Sequence, residues 1–78
     1  NQLMSVAKLK IIFAKEADGR HIAEVPSLPG VMAYGATKAE AKRKVSAIAL
    51  RTLADRVEQT GARGVVSQLF AYGSVAGR

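Results

Sequence analysis

The segment Pro26-Ser27-Leu28-Pro29-Gly30 limits what this chain can fold into more than any other stretch. Neither proline has an N–H to donate to a sheet ladder, and each holds φ at about −65°. Gly30 then permits a sharp reversal. No helix and no central strand runs through such residues, so the chain divides into one structural part before them and another after. The segment reads as a rigid connection. Leu28, held between the prolines, is expected to tuck into the core.

On the N-terminal side, residues 5–14 read as a strand, with Ala7, Leu9, Ile11 and Phe13 on one face and Lys8, Lys10 and Ile12 on the other. Asp18-Gly19 signals a turn, because Gly tolerates positive φ and an Asp carboxylate bonds nearby backbone. Residues 20–25 suit a second strand, so the two strands and the turn predict an antiparallel hairpin. After the proline segment, Val31 to Tyr34 make a short third strand that Gly35 ends.

Thr37-Lys38-Ala39-Glu40 is a capping box. The Thr37 hydroxyl is placed to accept from the Glu40 N–H, and the Glu40 carboxylate to reach back to the Thr37 N–H. A helix is predicted from Lys38 to about Glu58, with Gly61 stopping it near Thr60. Ala41, Val45, Ile48, Ala49 and Leu53 fall at helical spacing and face the sheet, while Lys38, Lys42 and Arg43 point away. Glu40–Lys44 and Arg51–Asp55 are weak i,i+4 pairs on the solvent side. Residues 65–72 read as a last strand, with Val65, Leu69 and Ala71 on one face and Val66, Phe70 and Tyr72 on the other. A strand apolar on both faces is central or covered by a partner. The expected class is α+β, with the order β-β-β-α-β. A small antiparallel-rich sheet carries one helix on one face, and its other face is open to solvent or to a partner.

At 78 residues the chain holds a single domain, assigned to 4–73. Residues 74–78 read as a flexible tail. Met4 reads as the natural start and 1–3 as an expression remnant. Phe13, Tyr34, Phe70 and Tyr72 are the full aromatic set, so Val, Ile, Leu and Ala build the core. The chain has no cysteine, which excludes disulfides and thiolate metal sites and fits a reducing, cytoplasmic setting. No apolar run approaches the roughly 20 residues of a membrane span, and no signal peptide is apparent. A net charge of +6 favours acidic partners, either nucleic acid or an acidic protein surface. Small size and the two-sided last strand favour a homodimer or higher homo-oligomer.

The residues offer little for catalysis. His21 is the one histidine, on the second strand, with no evident orienting partner. Glu40 is used by the cap and Asp18 by the turn; Asp55 and Glu58 lie along the helix. Only Glu16 and Glu24 lack a local structural explanation. No metal-ligand spacing is present, and no cofactor is implied. Gly61-Ala62-Arg63-Gly64 follows a helix instead of opening one, so it is a turn and not a phosphate loop. The expectation is a protein without enzymatic activity. The basic residues Lys8, Lys10, Lys38, Lys42, Arg43 and Lys44 are either a solvated surface or a nucleic-acid contact. No helix-turn-helix or ribbon-helix-helix segment accompanies them.

One ordered set of motifs spans residues 18–41: Asp18-Gly19, then Ala23, then Pro26-x-Leu28-Pro29-Gly30, then Gly35-x-Thr37, then Glu40-Ala41. In order and spacing it resembles the signature of the HicB-like antitoxin family. Ala39 and Lys42 depart from that pattern, which usually has an acidic residue before Glu40 and an apolar one after Ala41. The resemblance implies a partial ribonuclease-H-like fold. It also implies a non-catalytic protein that binds and masks a small HicA-type RNA-cleaving toxin. The contact is expected through the sheet face or edge, with Glu16, Asp18, Glu24 and Tyr34 as candidate surface residues. The alternatives are a basic nucleic-acid-binding module, a family member that stands alone without a toxin, and a residual enzyme around His21.

Overall fold

The computed structural model describes residues 8–75. Three strands, β1 (Ile12–Lys15), β2 (His21–Glu24) and β3 (Met32–Gly35), form one antiparallel sheet in the order β1-β2-β3. Two helices follow, α1 (Lys38–Thr60) and α2 (Arg63–Leu69). The class is α+β, and the first four elements come in the expected order.

The β1–β2 turn is a three-residue loop. The Gly19 N–H donates to the Glu16 carbonyl at 2.9 Å, and the Glu16 N–H donates to the Arg20 carbonyl at 2.7 Å. Gly19 stands at φ +92°, the left-handed position that closes such a loop. The Asp18 carboxylate accepts from the Arg20 N–H at 3.0 Å, as the turn requires.

β1 is shorter than the expected span of 5–14. Residues 5–7 lie outside the described residues, and pairing begins only at Ile12, opposite Glu24. Continuing that register sets Lys10 opposite Pro26, which has no N–H to offer. The Val25 N–H is already given to the Val31 carbonyl at 3.0 Å. The proline segment thus ends both neighbouring ladders at once. Within it, the Leu28 N–H donates to Val25 and the Leu28 carbonyl accepts from Val31. Leu28 itself is buried in the core.

Phe13, Ala23 and Ala33 stand side by side across the three strands, on the face that α1 covers. Ala23, Val25, Leu28, Val31 and Ala33 meet Ala41, Val45 and Ala49 of α1, with Ile11, Phe13, Ile48 and Leu53 around the margin. Alanines on both layers let the helix come close, and Gly35 brings it closest. A Cβ added at Gly35 would lie 2.5 Å from the Ala41 nitrogen and 3.0 Å from the Glu40 carbonyl carbon. Backbone touches backbone there, so no side chain can move aside to make room.

The helix start differs from expectation in one bond. The Thr37 hydroxyl accepts from the Glu40 N–H at 3.0 Å, as a capping box requires. The Glu40 carboxylate accepts from the Ala36 N–H at 2.6 Å, one residue upstream of Thr37. The β3 ladder ends at Gly35, so the Ala36 N–H is free of the sheet and faces the first turn of α1. The expected Glu40–Lys44 pair forms at 3.5 Å; Arg51 and Asp55 form no ion pair.

The expected fourth strand is not formed. Residues 63–69 are the helix α2, which ends at Phe70 in extended backbone. Val65/Leu69 and Val66/Phe70 are spaced by four, so the apolar pattern that suits a two-sided strand also suits one turn of helix. Gly61 (φ +83°) and Ala62 (φ +35°) turn the chain back along α1. There a helix sets Val65 and Leu69 beside Leu50 and Leu53 with its backbone bonded internally, whereas a strand far from the sheet would leave its N–H and C=O groups without a ladder.

Two substitutions test this packing. Gly35→Ala should destabilise the protein by about 1–3 kcal/mol through overpacking against α1. Thr37→Ala should cost about 1 kcal/mol through the lost cap. Urea denaturation measures both, and a Gly35→Ala midpoint equal to wild type would contradict the close approach.

Candidate functional site

Because α1 covers one face of the sheet, the residues between the core positions project from the other. Ile12, Ala14, Ile22, Glu24, Met32 and Tyr34 make up this outer face. Ile12, Met32 and Tyr34 are 45%, 41% and 40% exposed, high values for large apolar residues within a sheet. Together with half-buried Ile22 they form an apolar patch that neither helix covers, crossed only at Tyr34 by the Arg20 side chain among the described residues. Patches of this kind on small proteins mark contact sites.

Polar groups give the patch a direction. Glu24 lies on the central strand, opposite Ile12 on one side and Met32 on the other. Its carboxylate forms no ion pair among the described residues. At the opposite end, the Arg20 guanidinium lies 4.3 Å over the Tyr34 ring. Asp18 fixes it there through a 2.7 Å bond from Arg20 Nε. The Asp18 carboxyl is held below its ordinary value, first by the Arg20 backbone N–H and then by the Arg20 side chain. The face therefore offers an acidic group at one end, a braced guanidinium–aromatic pair at the other, and apolar side chains between.

Of the candidate surface residues, Glu24 and Tyr34 lie on this face. Asp18 sits in the turn and braces Arg20, and Glu16 is half-buried at the base of the same turn. Arg20, Ile12, Ile22 and Met32 were not among the candidates. The two-residue period that placed Phe13 inward already placed Ile12 outward, and the same rule on β2 and β3 identifies Ile22 and Met32.

Of the six basic candidates, Lys38, Lys42, Arg43 and Lys44 lie in the first two turns of α1, and Lys8 and Lys10 lie apart from them. Lys38 lies 4.6 Å over the Phe13 ring, on the helix side of the sheet. Lys44 is paired with Glu40. Lys42 and Arg43 are exposed on α1 and form no ion pair among the described residues. Lys8 and Lys10 flank Leu9, which shares a cleft with Leu50 and Leu53. That is about 20 Å along α1 from Lys38.

His21 pairs in register with Lys15 and Gly35 on the core side of the sheet. No hydrogen bond or ion pair orients its ring among the described residues. Among these residues, no three His, Cys, Asp or Glu side chains converge to hold a metal ion. None of their helices is long and apolar enough to cross a membrane. Comparison with protein-family models, with curated proteins and with solved structures finds no match in any of the three.

The electrostatics predict an acid-sensitive fold. The Glu40 carboxyl is lowered, first by the Ala36 N–H and then by the Lys44 charge, and Asp18 is lowered as described. Depressed folded-state values mean that protonation opposes folding. Their contribution is present above the unfolded-state values near pH 4 and is lost as the pH falls through the lowered ones. The urea midpoint should hold steady from about pH 7 to pH 5 and fall below about pH 4. Glu40→Gln should remove part of that fall. A midpoint that rises on acidification would contradict the assignment.

Proposed function

We propose that this chain is a HicB-like antitoxin. On this reading it is a non-catalytic, cytoplasmic binding protein that masks a small HicA-type RNA-cleaving toxin and acts as a homodimer or higher homo-oligomer. The observation that carries the reading is the uncovered outer face of the sheet, an apolar patch with the unpaired acid Glu24 in its central strand. A protein that binds RNA presents basic groups. A surface that masks it must offer apolar area for contact and an acid for the cations, and Glu24 is placed for the second task. The motif order over residues 18–41 supports the family assignment, because Gly35, Thr37 and Glu40 do structural work at the positions where the family pattern has them. The sequence β1-β2-β3-α1 is compatible with a partial ribonuclease-H-like fold, and we assign the chain to it with α2 in place of a fourth strand. Against the reading as a nucleic-acid module, Lys44 is paired with Glu40, Lys38 lies over the Phe13 ring, and Lys8 and Lys10 lie apart from the α1 group.

Titration of a HicA-type ribonuclease with this protein tests the proposal. RNA cleavage should be lost in proportion to the protein added, with the end point at a fixed stoichiometry. Glu24→Lys should weaken inhibition at least tenfold with the circular dichroism unchanged. Absence of both inhibition and complex formation would overturn the assignment.

A further inference from the structure

A second apolar surface lies at the other end of the molecule. Leu9, Leu50, Leu53, Val65 and Leu69, with Gly64 and Gln68, line a cleft of about 360 Å³ between α1 and α2, and its lining holds no charged residue. Leu50 and Leu69 are 65% and 58% exposed at its mouth. Immediately after α2 the chain leaves the helix at Phe70, and Phe70, Tyr72 and Val75 are exposed. Residues 64–75 contain no charged side chain, although 23% of the whole chain is charged. In a protein of net charge +6, this neutral stretch is where two copies can approach with least repulsion.

We propose that the segment Phe70–Val75 of one copy occupies the apolar cleft of a second copy, in a reciprocal two-fold exchange. The proposal rests on the self-association part of the reading above and not on toxin binding. Geometry favours a second copy over the segment's own cleft. Leu69 forms part of the cleft wall, and Phe70, at φ −125° and ψ 141°, ends α2 and lines no part of the cleft. The residues after it bring Tyr72 back along another side of α2, beside Gly61, Arg63, Val66 and Ser67, none of which lines the cleft. A second copy's cleft carries no such constraint. The surface suffices as well. The exposed parts of Leu9, Leu50, Leu69, Phe70, Tyr72 and Val75 amount to roughly 700 Å² per chain, against about 800 Å² per partner in a stable interface. A two-fold exchange fills both clefts and leaves no open end to propagate.

The chain has no cysteine of its own, so introduced ones report contacts without interference. The full-length protein should sediment as a dimer at micromolar concentration. Phe70→Ser combined with Tyr72→Ser should weaken that dimer at least tenfold. Under mild oxidation, a mixture of the Leu50→Cys chain with the Tyr72→Cys chain should form a disulfide between copies. A wild-type monomer would overturn the proposal. So would a dimer in which the Leu50→Cys and Tyr72→Cys chains do not join but the Ile12→Cys chain joins itself, since that places the second copy on the outer face of the sheet. Neither result depends on toxin inhibition, so the two readings can fail separately.

Discussion

The close contact of Gly35 with the first turn of α1 is what the rest of the structure depends on. At that point the end of β3 and the start of the helix meet backbone to backbone, at a separation that leaves no room for a Cβ. The contact fixes the angle at which the chain leaves the sheet. It brings the Ala36 N–H within reach of the Glu40 carboxylate while Thr37 caps the next turn. With the helix start set, Ala41, Val45 and Ala49 fall on Ala23, Val25 and Ala33, and the core closes. Burial of small side chains on both layers gives little area per residue, so the core depends on approach distance more than on side-chain bulk.

That arrangement decides where binding can occur. One helix covers one face of a three-stranded sheet, and the opposite face keeps its apolar residues in solvent. The proline segment sharpens the result by ending the ladders at Val25, which keeps the sheet short and its outer face compact. The Asp18–Arg20–Tyr34 chain of contacts stiffens one edge of that face from the turn. Rigid placement of a patch lowers the ordering cost of binding, which suits the occluding role proposed for this face. The distant α1–α2 cleft is a separate apolar surface, and the two can be occupied at once.

Much of this is legible in the sequence, for physical reasons that differ from element to element. Asp18-Gly19, the proline segment, Gly35 and the Thr37–Glu40 cap act through local backbone chemistry, and local chemistry is written in local residues. The outer face is legible as well once the strand period is set by Phe13, although Arg20 over Tyr34 requires knowing that the turn folds back on β3. Residues 65–72 are where the pattern misleads. A short run apolar on both faces satisfies a strand and a helical turn equally. The choice falls to the left-handed backbone at Gly61 and Ala62 and to the neighbours that α1 supplies. The shift of the Glu40 bond from Thr37 to Ala36 depends likewise on the sheet ladder ending one residue earlier, a tertiary fact.

The most direct test of the central claim is methyl NMR of the protein with and without a HicA-type toxin. The Ile12, Ile22 and Met32 methyls of the outer face should shift or broaden on complex formation, while those of buried Leu28 and Val45 should hold their positions. A complex that forms with the outer-face methyls unmoved would contradict the assignment of this face as the binding surface.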